Sequence, residues 1–386
     1  MKQLLQNMKT GETRVAEVPV PKPSQGTALV RTAASLVSAG TERMLVAFAR
    51  QGLVGKAQSR PDLARQVLNK ARREGLLPTL DAAMNKLDQP LTLGYSSAGT
   101  IIQVGPGLHG FRVGDRVACG GGGHAVHAEF AAVPQNLMTP IPDSVQFESA
   151  AFTTIGAVAL QGFRLAEAQI GSRVAVIGLG LLGLLTVGIA SAAGCQVFGI
   201  DLDPRRVALA KQMGAAGSVL RAEAQAGLLS FTQGAGADAV FICADTESND
   251  PIELAGEIAR DKARVVVVGA VGMAVPRKPY YEKELDLVVS RSYGPGRYDA
   301  NYEEKGQDYP VGYVRWSENR NMQAFVDLLS SEKLDVTPLI THRIPIAEGK
   351  QAYDLITSKE PYLGVLLTYE ETPLPAENRV PNLQAP

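Results

Sequence analysis

Gly178, Gly180 and Gly183 form the spacing G-x-G-x-x-G, and an acidic residue, Asp201, stands 18 positions after the last of them. Glycine at the first position permits a tight turn, and at the second lets the backbone approach a pyrophosphate. At the third it lets a helix pack closely on a strand. The helix start, at Leu181 and Leu182, then offers N–H groups and partial positive charge to the phosphates. A carboxylate at position 201 would accept hydrogen bonds from both adenosine ribose hydroxyls and repel a 2′-phosphate. The chemistry these residues suit is binding of NAD in preference to NADP, with Arg205 and Arg206 close enough to soften that choice.

Such a site needs a strand before the glycines and a helix after them, and the sequence supplies both. Val174–Ile177 is an apolar run of strand type, and Leu181 to Ala193 is an apolar helical run. A second strand, Gln196 to Ile200, delivers Asp201. Ala239–Ala244 and Arg264–Gly269 read as further buried parallel strands, whose C-terminal ends line the cofactor crevice. That makes Gly269, Ala270 and Val271 candidate backbone contacts to the nicotinamide amide. Helix and strand patterns alternate from about residue 149 to 294, as in a doubly wound parallel sheet. Residues 1–150 read mostly as β, with strands at Thr27–Ala33, Gly99–Gly105 and Arg116–Ala118 and turn signals at Pro106-Gly107 and Val113-Gly114-Asp115. The fold class is therefore α/β, a β domain joined to a doubly wound sheet. Within the β domain, Arg60–Gln89 has helical spacing at Leu63, Val67, Leu68 and Ala71 and reads as an inserted helical segment. Its Arg60, Arg65, Lys70, Arg72 and Arg73 form either a solvated face or a contact to an anionic substrate.

Composition narrows the class. The 386 residues carry 38 Lys plus Arg against 39 Asp plus Glu, which speaks against a nucleic-acid protein working through a basic surface. Cys119, Cys195 and Cys243 lie far apart, excluding a disulfide scaffold and a CxxC cluster and suiting a reducing, cytoplasmic setting. The N-terminal residues lack an apolar stretch of signal-peptide length. The most apolar stretch, Val174–Ala193, is interrupted by glycines and reads as strand and helix, so no membrane segment is expected. Glu371–Pro386, with four prolines, reads as a flexible tail or the start of a linker.

Four stretches together resemble the medium-chain dehydrogenase/reductase superfamily, the fold of zinc alcohol dehydrogenases. They are Val104–Val117, His127–Pro134, Glu148–Gly156 and Gly178–Asp201, and the likeness runs from about Lys2 to Tyr369. It implies a GroES-like substrate domain at 1–150 and 295–370, a Rossmann domain at 151–294, and a homodimer formed through Rossmann-sheet edges. The departures concern zinc. The catalytic Cys of zinc members falls on Ala39, their His and Glu on Tyr95 and Ser96, and a third ligand near Thr154. None of these is a usual zinc ligand, and the four-Cys lobe is missing. No metal is therefore expected, the rival being a rebuilt site from Glu42, Cys119 and His124. Gly94–Gly99, Ser38–Glu42, Ser292–Tyr298 and Asp308–Trp316 resemble a zinc-free subgroup, whose members occur fused to or beside a second, sugar-type oxidoreductase.

Without zinc, side chains must move the hydroxyl proton and steady the oxygen. Tyr95 occupies a ligand position, and a tyrosine in this role needs a nearby cation. Glu42 stands where the family places an Asp near the metal, and His124 follows four glycines in a loop free to bend toward the substrate. Each also has a purely packed or exposed reading. For the substrate itself the candidates are Thr41, Tyr293, Arg297, Tyr298 and Arg315. The last four come from a Tyr- and Arg-rich stretch, Arg291–Trp316, that suits a sugar ring with a phosphate or carboxylate. The leading expectation is a zinc-independent oxidoreductase passing hydride between NAD(H) and a hydroxyl or carbonyl of a small, polar, sugar-like or sugar-nucleotide-like molecule. The alternatives are a quinone- or enoyl-type reductase using NAD(P)H, and a cofactor-binding partner subunit with little activity of its own.

Overall fold

The computed structural model describes residues 1–51 and 89–371. The expected helical insertion, apart from its last residue, and the tail after residue 371 lie outside the described residues. In chain order the first strands are β1 (Lys2–Gln6), β2 (Thr13–Glu17), β3 (Thr27–Val37), β4 (Leu91–Thr92), β5 (Ser96–Val104), β6 (Arg116–Gly120), β7 (Phe130–Pro134) and β8 (Met138–Pro140). They are followed by β9 (Arg173–Ile177), β10 (Gln196–Asp201), β11 (Gly217–Leu220), β12 (Ala237–Ile242), β13 (Ala259–Val267) and β14 (Asp286–Val289). The last two are β15 (Ile340–Pro345) and β16 (Gly364–Thr368).

The described chain divides into two compact units. One takes the described residues of Met1–Asp115, Cys119–Val133 and His342–Pro386; the other takes Arg116–Ala118 and Pro134–Thr341. In the first, β1 lies between β2 and β4, and β3 lies between β16 and β5 in antiparallel register, with β7 also paired to β3. Its core joins Leu4, Val37, Val365 and Leu367 from strands and Leu93 just after β4 to Val46 of helix Thr41–Arg50 and Tyr353 of helix Lys350–Ile356. Helix Thr41–Arg50 buries Glu42, Val46 and Ala49, one stripe at helical spacing, so a carboxylate sits on its core face.

The second unit carries a six-stranded parallel sheet in the order β11-β10-β9-β12-β13-β14. This is the doubly wound Rossmann arrangement, reversing between β9 and β12. Its central strands are continuous apolar runs because helices cover both faces. The unit extends beyond the expected limits of 151 and 294, to 134 and 341. Packing explains the difference. Helix Glu318–Ser330 lies against helix Thr153–Ala166, with Phe325 so close to Gly156 that a Cβ there would stand 2.1 Å from its ring. Tyr293 and Met322 complete that contact around Ala157. Residues 295–341 therefore stay with the Rossmann sheet instead of returning at once to the first unit. No helix among the described residues is long and apolar enough to cross a membrane.

Candidate functional site

At the carboxyl end of β9 the chain turns at Gly178 with φ +89° and enters helix Leu181–Ala192. A Cβ on Gly183 would lie 1.8 Å from the Gly178 carbonyl oxygen, so helix and turn meet at glycine-only distance. A Cβ on Gly180, by contrast, would meet nothing nearer than Arg206 at 4.0 Å. Gly180 is the N-cap of that helix and no side chain caps it. The first-turn N–H groups at Leu181 and Leu182 thus face open space suited to an anion.

Asp201 ends β10 beside this turn. Its Oδ2 accepts from the Leu179 N–H at 2.6 Å and its Oδ1 from the Asp203 N–H at 2.8 Å, while Arg206 Nη1 stands 4.0 Å away. The carboxylate therefore ties the glycine turn to the end of β10. Each oxygen keeps a further lone pair for a ribose hydroxyl. Arg205 is held by the Asp203 carboxylate through Nε and Nη2, which leaves Arg206 as the guanidinium over the turn. Gly269, Ala270 and Val271 follow β13. Gly269 packs on Ala244, where a Cβ would stand 2.1 Å from the carbonyl oxygen, and the Ala270 carbonyl accepts from Thr246 N–H. These residues fit a dinucleotide: an open, uncapped helix start, a glycine cradle and an acid at the ribose position.

The Tyr- and Arg-rich segment is more ordered inward than its composition suggests. Tyr293 is 2% exposed, which corrects its expected place against substrate. It lies in a loop whose Ser292, Gly294, Gly296 and Tyr298 all have positive φ. Tyr298, bulky at φ +69° and 63% exposed, is a strained residue held by its own N–H on Glu303 and by Arg297 and Arg291 stacked on its ring. Arg297 spends its charge on Glu303, 2.5 Å away. Beside Tyr293 sits Glu318, fully buried, with neither oxygen in a hydrogen bond, the Tyr293 hydroxyl close by but out of bonding geometry. Burial, then the neighbouring Glu303, push the Glu318 carboxyl up to about 8 against the pull of Arg297. Nothing in the sequence reading marked Glu318; its setting arises from packing alone.

In the first unit the sequence-nominated residues meet in a polar network. The Tyr95 hydroxyl donates to Ser38 Oγ at 2.6 Å. Glu42 lies under them, 4% exposed, accepting from the N–H groups of Ser38 and Gly94, both at 2.7 Å, and from the Tyr353 hydroxyl at 2.6 Å. His127 Nε2 stands 3.4 Å from Glu42, and its Nδ1 is 2.7 Å from Ser35 Oγ, which in turn meets the Tyr369 hydroxyl. Burial would raise the Glu42 carboxyl, but the charge of His127 and the converging hydrogen bonds outweigh it and hold the group below its usual range. With its lone pairs so engaged, Glu42 is an internal anchor, which corrects the expectation of a substrate-facing catalytic group. Thr41, its neighbour, is exposed at the helix start, and His124 is half-buried in the turn after Gly121.

Zinc does not suit these donors. Ala39 offers a methyl group, Tyr95 a hydroxyl bound to Ser38, and Thr154 is buried within its helix. The rebuilt alternative does not suit a metal either, since the Glu42 carboxylate is already engaged by Ser38, Gly94 and Tyr353. Among the described residues no three His, Cys, Asp or Glu side chains come together as a metal site.

Comparison with known proteins agrees with both halves of this architecture. The zinc-binding dehydrogenase family model matches residues 182–304, and the alcohol dehydrogenase GroES-like domain model matches residues 68–143. The chain belongs to the medium-chain dehydrogenase/reductase superfamily. D-xylulose reductase of Scheffersomyces stipitis is 27% identical over 315 residues, covering 70% of this chain and 80% of that protein. Sorbitol dehydrogenase of Rattus norvegicus is 26% identical over 298 residues, covering 69% and 76%. Galactitol-1-phosphate dehydrogenase from Escherichia coli shares the fold with a TM-score of 0.73 over 95% of this chain and all of that one, at 22% identity.

Proposed function

We propose that this chain is a zinc-independent, NAD(H)-dependent oxidoreductase acting on a hydroxyl or carbonyl of a sugar-type polyol or ketose. The observation that carries the reading is the glycine cradle at Gly178, Gly180 and Gly183 with Asp201 beside it and an uncapped helix start below. The relatives named D-xylulose reductase and sorbitol dehydrogenase support the substrate class.

Bound NAD(H) would supply or accept the hydride. The N–H groups at Leu181 and Leu182 would hold its pyrophosphate and Asp201 its ribose, with the exposed Leu202 as an apolar neighbour for the base. Tyr95 is the group we assign to the proton. In reduction its hydroxyl gives a proton to the substrate oxygen, the Ser38 hydroxyl 2.6 Å away turns to donate a hydrogen bond to the resulting phenolate, and solvent returns a proton to the half-buried tyrosine; in oxidation each transfer is reversed. Glu42 fixes the backbone of Ser38 and Gly94 and so sets where Tyr95 stands. The outer edge of β14, last in the sheet among the described residues, would serve a homodimer.

The test combines three measurements on the purified protein: metal content, NADH and NADPH binding by fluorescence, and turnover across pentitols, hexitols and their ketoses. Tight NADH binding, no stoichiometric zinc and turnover of a polyol support the reading. Stoichiometric zinc required for turnover would overturn zinc independence. NADH binding with no turnover of any polyol or ketose would favour a cofactor-binding partner subunit.

A further inference from the structure

Trp316 is the only tryptophan in the chain, and two guanidinium groups stand on it. The central carbon of Arg164 is 3.2 Å from its ring centroid and that of Arg315 is 3.8 Å. Two such groups so near one centroid would overlap if they shared a face, so the indole is sandwiched between them. Arg164 comes from the last turn of helix Thr153–Ala166 and uses Nε on Asn321 Oδ1 at 2.8 Å, which leaves its Nη fork unused. Arg315 makes neither a hydrogen bond nor an ion pair among the described residues. Its side chain is exposed.

The unusual feature is the missing counter-charge. Tyr298 is stacked by Arg291 and Arg297 in the same way, but there Glu303 neutralises Arg297 at 2.5 Å. Among the described residues no carboxylate pairs with Arg164 or Arg315 at Trp316. Burial and the charge of Arg315 together push the half-buried Arg164 guanidinium down to about 10. Two like charges held this close are unfavourable unless something else occupies the edge between them.

We infer that the edge of Trp316 between Arg164 and Arg315 is a binding site for a phosphate monoester. Planar guanidinium forks match the oxygens of phosphate in bidentate fashion. A phosphate monoester carries about −1.5 to −2 charges near neutrality, close to the two cations present. With both indole faces covered by arginine, no sugar ring can stack there, so the anion rather than the ring is what this site recognises. The inference rests on the proposed function in one respect: it narrows the polyol or sugar substrate to a phosphorylated one.

Because Trp316 is the single tryptophan, its emission reports directly on the site. The probes are inorganic phosphate, glucose 6-phosphate, glucuronate and sorbitol, titrated at constant ionic strength made up with chloride. A saturable change with phosphate and glucose 6-phosphate is expected, weaker or absent with glucuronate and absent with sorbitol. Arg315→Gln, a change at an exposed side chain, should weaken phosphate binding about tenfold or more, since a charge-assisted pair is lost. Arg315→Lys should recover only part of it, because charge returns without the fork. No saturable response, an equal response to chloride, or an affinity unchanged in Arg315→Gln would overturn the site. Tighter binding of glucuronate than of glucose 6-phosphate would overturn the phosphate assignment. NADH binding is measured in parallel: if it persists while phosphate has no effect, the phosphate site fails alone. If NADH does not bind, the oxidoreductase reading fails on its own account.

Discussion

The Tyr353 hydroxyl donates to Glu42 Oε1 over 2.6 Å, joining residues 311 positions apart. With the Ser38 and Gly94 N–H groups on the same carboxylate, this bond pins helix Thr41–Arg50 and helix Lys350–Ile356 to the strand ends that carry Tyr95. Glu42→Gln keeps the shape but turns an acceptor into a donor facing other donors. It should cost about 1–3 kcal/mol in a urea titration with unchanged slope, the price of unsatisfied buried groups. NADH binding should survive, since the glycine cradle belongs to the other unit. The pH dependence has a definite sign. The Glu42 carboxyl is held below its usual range, so its contribution is full above the ordinary glutamate value and is lost as pH falls through the lower folded value. The stability gap between wild type and variant should therefore be full near neutral pH and narrow as pH falls through the folded value; a gap that stays the same across that range would contradict the anchoring role.

Glu318 works in the opposite direction. Its carboxyl is raised to about 8 in the fold, so the native state binds the proton more tightly than the unfolded chain. The contribution is full below the ordinary glutamate value and is lost as pH rises through about 8. Thermal stability of the wild type should carry a declining component from the ordinary glutamate value up to about pH 8 that levels off above it, and Glu318→Gln, neutral at every pH, should remove that component. Parallel melting curves for the two proteins across this range would show that Glu318 is not the titrating group.

These two acids also mark what the amino-acid order could and could not reveal. The Gly178–Gly183 turn was legible because its constraints are local: a strand run, three glycines at fixed spacing and a helix directly after. Asp201 followed from the length of one helix and one strand. Glu42 reads as a catalytic group near the substrate, although its spacing to Val46 and Ala49 already placed it on a buried stripe; its partners Tyr353, Gly94 and His127 are distant in sequence and only folding assembles them. Tyr293 misled and Glu318 went unmarked for the same reason. A loop rich in tyrosine and arginine reads as facing substrate, but packing of helix Glu318–Ser330 against helix Thr153–Ala166 closes over both.

Tyr95→Phe tests the proton assignment. The ring is retained and only the donor to Ser38 is removed. The rate of hydride transfer should fall by about tenfold or more, the low end of what a positioned acid or base supplies or somewhat below it. The NADH dissociation constant should not change. Ser38→Ala should show a smaller loss with the same cofactor affinity, since it removes the group behind Tyr95 and leaves the tyrosine in place. A single-turnover rate unchanged in Tyr95→Phe would take Tyr95 out of the mechanism.

On the proposed reading Asp201 decides between the two nicotinamide cofactors, and its double duty shapes the experiment. Its oxygens hold the Leu179 and Asp203 N–H groups, so Asp201→Ala loosens the glycine turn as well as removing the charge that opposes a 2′-phosphate. Asp201→Asn separates the effects in part: it removes the charge and keeps one of the two acceptors that hold the turn. Wild-type protein should bind NADH more tightly than NADPH. In Asp201→Asn the NADPH affinity should rise while NADH falls by less than in Asp201→Ala. Arg206, 4.0 Å from the Asp201 carboxylate and over the turn, is then the cation that receives the 2′-phosphate. Arg206→Gln on the Asp201→Asn background should cancel the gain in NADPH binding. A wild-type preference for NADPH, or a gain that persists without Arg206, would mean that the carboxylate serves the turn alone and that cofactor choice is made elsewhere.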